Sequence, residues 1–285
     1  MADDRSPRVL VPVAVLRDEE LSPAIVDVFA SVKIVLCGYH VVPDQTGLEQ
    51  ARDQFEERAW KRLDRHRQAL EAAGATVEPR FVLTHDRLTT FERIAVEESC
   101  AAILMLAETP TIERVLVAVR GDVAIDPIAT LIAAVLADTD CSVTLFSVLA
   151  DGERTNREAL LDDLADRLEA GGVPPDRIRQ EIVVDDSPTD AIVEASADHD
   201  LIVAGESRPS IRRLIFRDRT KRIARRSADP VLVVRGHSLE ADDSAEESSS
   251  DELDDSADGS TETSFGEFVE SEPTDTASGS GAFER

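Results

Sequence analysis

RVLVAVRG at residues 114–121 repeats RVLVPVAV at residues 8–15, and this echo decides the fold. Each run is almost wholly apolar and rich in Val, with no alternation of polar residues. Such a run is a strand buried on both faces, the kind found in parallel sheets covered by helices. A second echo lies downstream. IAVEESCAAILMLA (94–107) aligns without gaps on IVEASADHDLIVAG (192–205), at an offset of 98. Both passages carry a helix into an apolar strand.

Outward from these echoes the chain alternates strand and helix. Strands are predicted at 8–15, 32–41, 76–84 and 101–107, with helices at 22–30, 47–74 and 87–99. Ser22 and Pro23 supply a cap and a first helical residue, and Gly74 closes the long amphipathic helix. The second series has strands at 114–120, 141–149, 177–184, 200–205 and 230–235. Its helices fall at 126–137, 153–170, 187–197 and 210–226. The pattern is an internal duplication of a β-α unit. It predicts two Rossmann-like three-layer α/β/α domains with parallel sheets and right-handed crossovers. The first domain, 8–112, is truncated and lacks the last loop, helix and strand. The second, 113–236, is complete.

Residues 237–285 differ in kind. They hold 16 acidic residues and one basic one, with Ser, Thr and Gly between. Their scattered apolar residues have no period, so this tail is expected to be disordered. The whole chain has 58 Asp+Glu, 31 Lys+Arg and a net charge of −27. That charge disfavours nucleic acid and anionic membranes as partners. No apolar run reaches transmembrane length, and MADDRSPRVLV lacks the pattern of a signal peptide, so a cytoplasmic location is expected. Only Lys33, Lys61 and Lys221 are lysines. Few lysines, many carboxylates and 4% aromatics fit a protein adapted to concentrated salt, where surface carboxylates are strongly screened. Cys37, Cys100 and Cys141 have no metal-ligand spacing, and the five histidines have none either. No metal site and no catalytic constellation is read from the sequence.

The succession VLVAVRG, VTLFSV, DLIVAGES and ADPVLVV within 113–236 is similar to the universal stress protein family. Residues 8–112 resemble a divergent, truncated copy. The resemblance implies an adenine-nucleotide alpha-hydrolase-like fold with strand order 3-2-1-4-5 and a regulatory or protective binding role. ATP-binding members carry an Asp at the end of the first strand and G-x2-G-x9-G-[ST] after the fourth. Here Arg120 stands at the Asp position, followed by Gly121, and in the first copy Ala14 or Val15 stands there. Gly205 matches the first glycine. Ser207 and Arg208 lie near the missing second, Arg217 replaces the third, and Asp218 replaces Ser or Thr. The sequence is therefore not read as an ATP-binding member, although ATP or another adenine nucleotide stays a candidate ligand.

Charge supplies the strongest local signal. Residues 208–235 contain ten basic residues and two acids. An anion or phosphate site at loop 205–218 is the functional reading, with Arg120, Gly121, Gly205, Ser207, Arg208 and Arg217 as its residues. The plain alternative is that these arginines pair with the acidic body. A slow nucleotide hydrolase and a ligand-free scaffold are the alternative functions. His85-Asp86 and Asp185-Asp186-Ser187 precede helices and read as caps. Strand 230–235 has no counterpart in the first copy, so it is expected to be a free edge and to pair two chains into a homodimer. The acidic tail is a candidate surface for a protein partner.

Overall fold

The computed structural model describes residues 6–17, 19–43, 48–119, 125–149, 154–206 and 229–235. In chain order they form β1 (Arg8–Val13), α1 (Pro23–Val28), β2 (Lys33–Val41), α2 (Leu48–Ala73), β3 (Thr76–Thr84), α3 (Arg87–Glu97) and β4 (Ala102–Met105). There follow β5 (Arg114–Ala118), α4 (Ile125–Leu136), β6 (Ser142–Leu149), α5 (Arg154–Ala170), a 3-10 turn (Pro175–Arg177), β7 (Ile178–Val184), α6 (Pro188–Ser196), β8 (Leu201–Glu206) and β9 (Val231–Arg235). Every element expected from the sequence within the described residues is present. The expected helix at 210–226 and the tail at 237–285 lie outside them.

Local chemistry sets the ends of these elements. Ser22 is the N-cap of α1, where Ile25 N–H donates to its Oγ at 3.3 Å, and Pro23 follows at the first helical position. Asp86 caps α3 by accepting from the backbone N–H of Leu88 and Thr89. Asp185 accepts from Ser187 N–H at 2.7 Å ahead of α6, and the Ser187 hydroxyl donates to Asp190. Gly74 ends α2 with φ +117°, a conformation that disfavours any side chain. A Cβ on Gly171 would lie 2.5 Å from Ala133, so this glycine permits the end of α5 to approach α4.

All nine strands join one sheet, in the order β3-β2-β1-β4-β9-β8-β5-β6-β7. Two expectations are corrected here. The strands do not form two separate sheets, and β9 is not a free edge. It runs parallel to β8, with Val203 beside Leu232, and antiparallel to β4, with Leu104 beside Leu232. Both of its hydrogen-bonding edges are therefore taken within one chain, and β9 has no edge left for a second chain. The reason is the gap noted in the sequence. The first half has no fifth strand, so the outer edge of β4 is unpaired unless the second half supplies one. A strand already tethered to the chain pairs without the translational entropy cost of association. The order within 113–235 is β7-β6-β5-β8-β9, which is the implied 3-2-1-4-5 order.

The antiparallel junction turns the two halves end for end within the sheet. The carboxyl ends of β1 and β4 therefore point opposite to those of β5 and β8. One apolar core runs across the junction. It joins Val11, Leu104, Leu232, Val203 and Val117 with Leu63 of α2 and Leu164 of α5. On the other face the core is in two parts. Leu10, Cys37, Phe91 and Ile94 pack under α3, and Leu116, Phe146 and Ala191 pack under α6. The outer edges are β3 and β7. Glu78, Pro79 and Arg80 on β3, and Arg179, Gln180 and Glu181 on β7, blunt them against further pairing.

Candidate functional site

In open α/β sheets a ligand crevice lies outside the carboxyl ends of the strands, where neighbouring crossovers leave in opposite directions. Each half has such a place. In the first half it lies between the loop after β1 and the segment after β4. A cleft of about 960 Å³ opens there. Leu21, Pro23, Leu106, Ala107 and Pro110 give it an apolar wall, and Glu19, Glu20 and Glu108 give it three carboxylates.

These carboxylates are tied to the chain itself. Ala14, which with Val15 is expected at the family's Asp position, donates its backbone N–H to Glu19 Oε2 at 2.5 Å. The carboxylate thus sits where an anionic ligand would meet the end of β1. Glu20 faces His66 of α2, with 3.8 Å between Oε2 and Nδ1. His66 is buried, and burial pushes its imidazole below the usual histidine range, against the opposing pull of Glu20. His66 also bonds the Glu19 backbone. One turn earlier, Arg62 donates to the Val15 carbonyl at 3.1 Å. The loop after β1 is therefore strapped to α2. Beside it, burial and the Glu19 charge raise the Tyr39 hydroxyl, which bonds Arg87 and meets Phe91 edge-on at 4.9 Å. Three carboxylates, with Ala14 N–H already occupied, make this crevice hostile to phosphate.

The second half carries the residues chosen from the sequence. Of these, Gly205 is described. It lies buried on β8, with Val234 of β9 beside it. Arg120, Gly121, Ser207, Arg208 and Arg217 lie outside the described residues. One member of the basic run has another role. Arg235 Nη1 donates to the carbonyls of Ala95 at 2.9 Å and Cys100 at 3.2 Å, so it fixes the end of α3 to β9. Across the described residues several arginines pair with the acidic body. Arg80 lies 2.7 Å from Glu98 and Arg8 lies 3.1 Å from Glu78.

The other reactive side chains have structural surroundings. Cys37 and Cys100 are buried, and burial pushes both thiols up to about 12. His199 is held between the Ala195 carbonyl and the Thr144 hydroxyl. Among the described residues no group of His, Cys, Asp and Glu is placed to hold a metal ion. No described helix is long and apolar enough to cross a membrane.

The universal stress protein family matches residues 111–235, a little under half of the chain. Residues 111–235 are a universal stress protein domain. They coincide with the five-strand half of the sheet. A universal stress protein from Archaeoglobus fulgidus has a similar fold, with 17% identity and a TM-score of 0.50. That likeness covers 80% of this chain and 96% of the other, so it extends beyond the universal stress protein domain into the first half. A universal stress protein solved in complex with cAMP is 25% identical over 44% of this chain and 98% of its own, with a TM-score of 0.32. A protein of unknown function from Pseudomonas aeruginosa PAO1 is 12% identical over 81% of this chain and 93% of its own, with a TM-score of 0.41. No protein of curated function matches.

Sequence reasoning missed the acidic cleft. Glu19, Glu20 and Glu108 were visible as charges, but nothing in their spacing shows that a carboxylate folds back on Ala14.

Proposed function

We propose that the chain is a regulatory or protective binding protein of the universal stress type, in which two tandem copies have divided the work. The first copy is a scaffold whose crevice no longer accepts a phosphate. The second copy holds an anionic ligand, a phosphate compound bound by arginine in place of a glycine loop. The observation that carries this reading is the Glu19 carboxylate on Ala14 N–H, flanked by Glu20 and Glu108 in the same cleft. It speaks against an anion in one crevice by charge and favours the arginine-rich copy, with nine basic residues between 208 and 226. The protein acts by binding, not by turnover. It works in a salt-rich cytoplasm, where its lysine-poor acidic surface stays soluble.

Mass spectrometry of small molecules released by denaturing the full chain, purified in molar KCl, tests this. A stoichiometric phosphate compound supports the reading, and a turnover assay on that compound then separates a binder from a slow hydrolase. A protein that releases no anionic compound and binds none added back contradicts it, and leaves the ligand-free scaffold.

A further inference from the structure

Arg157 lies in the first turn of α5, on the stripe that holds Leu161, Leu164 and Leu168. Those three leucines are fully buried against the sheet. Positions four, seven and eleven residues apart share one face of a helix, so Arg157 looks inward with them. Its Nη1 is buried and meets no hydrogen-bond acceptor among the described residues. A buried guanidinium N–H without an acceptor is costly, and such groups in folded proteins call for a specific explanation.

Position supplies the explanation. Helix α5 follows β6, so its first turn stands at the carboxyl end of the sheet. Helical side chains tilt toward the helix N-terminus, which carries the guanidinium one turn beyond Leu161 and toward the strand ends. Described groups at the ends of β5 and β6 are already satisfied. Ser147 is buried and its hydroxyl donates to the Val119 carbonyl at 3.0 Å, and Val119 N–H donates to Phe146. In the first half the matching helix position holds no cation. There Ala59, fully buried, stands four residues before Leu63, as Arg157 stands four residues before Leu161.

We infer that Arg157 is a ligand-binding residue, and that its free donor takes an oxygen of a phosphate group at the carboxyl end of the second half's sheet. This rests on the reading of residues 111–235 as the ligand-holding copy. A guanidinium presents a planar fork of donors that fits tetrahedral oxyanions, and its charge survives at any working pH.

The test is calorimetric titration of inorganic phosphate into the full chain in molar KCl, for the natural sequence, Arg157→Met and Arg157→Lys. Loss of a charge-assisted hydrogen bond should weaken binding about tenfold to a hundredfold in Arg157→Met. Arg157→Lys keeps the charge and loses the fork, and should fall between. Guanidinium unfolding without phosphate supplies an independent readout. Because Nη1 has no acceptor among the described residues, Arg157→Met should be as stable as the natural chain or more so. Equal phosphate affinity in all three proteins overturns this inference and leaves the proposed function standing. Absence of phosphate binding in the natural chain overturns both. If Arg157→Met does not fold, Arg157→Lys decides, and unchanged affinity there overturns the inference.

Discussion

The two halves of the sheet share one strand order and differ at their carboxyl ends. In the first, the strand-end N–H of Ala14 is occupied by Glu19, the cleft carries two more carboxylates, and a buried Ala59 stands four residues before Leu63 of α2. In the second, Arg157 stands four residues before Leu161 of α5, and its buried Nη1 meets no acceptor among the described residues. The difference teaches that the fold sets where a crevice lies, whereas side chains at the strand ends differ in charge from one half to the other. It also shows a division of structural labour. The first half lacks a fifth strand and borrows β9, so neither half closes its sheet without the other.

The largest effect should come from breaking β9. Leu232 is fully buried and sits between Leu104 and Val203. Leu232→Asp puts an unpaired charge in the core common to both halves, and should cost more than about 4 kcal/mol. Guanidinium unfolding followed by far-UV circular dichroism should show the whole sheet failing in one transition. Survival of one half with normal stability would mean that the halves are independent domains.

A smaller effect is expected at the acidic cleft. Glu19→Ala leaves the N–H of the buried Ala14 without its acceptor, at a cost of about 1–3 kcal/mol. Glu19→Gln keeps an acceptor and should recover most of that. Phosphate binding should be unchanged in Glu19→Gln, because its crevice is at the opposite end of the sheet.

Assembly sharpens the comparison in another way. With both edges of β9 taken inside the chain, light scattering in molar KCl should report the 31.0 kDa monomer. A dimer would require a different surface.

The smallest effect concerns pH. Burial holds His66 below its usual range, so the unfolded chain takes up that proton more readily than the folded one. Its contribution to stability is complete above the ordinary histidine range and is lost as pH falls through that range toward the folded value. Glu20 opposes the shift, while Arg65 and Arg62 reinforce it. The guanidinium midpoint should therefore drop less between about pH 7.5 and about pH 5.5 in His66→Gln than in the natural chain. Equal slopes would remove His66 from the strap that holds the cleft loop.

Much of this fold was legible in the sequence, because apolar runs, amphipathic spacing and caps such as Ser22 and Asp86 are local signals. Pairing of β9 with β4 was not legible. It depends on an unsatisfied edge more than a hundred residues away, and a strand's own residues do not record which neighbour closes it. Arg235 shows the same limit, since it counted as one more positive charge until its bonds to Ala95 and Cys100 placed it in the frame. The site was half legible. The basic run stood out by composition, and the inward stripe of Arg157 could be read from its spacing with Leu161. That its Nη1 meets no acceptor among the described residues, and that Glu19 covers Ala14 N–H, follow from three-dimensional paths that no spacing records.

The most direct test of the division between the halves is the number of phosphate sites per chain. Equilibrium dialysis against radiolabelled inorganic phosphate in molar KCl measures it. The account predicts one site per chain, weakened in Arg157→Met and intact in Glu19→Gln. Two equivalent sites per chain, or one site lost with Glu19→Gln and kept with Arg157→Met, would contradict it.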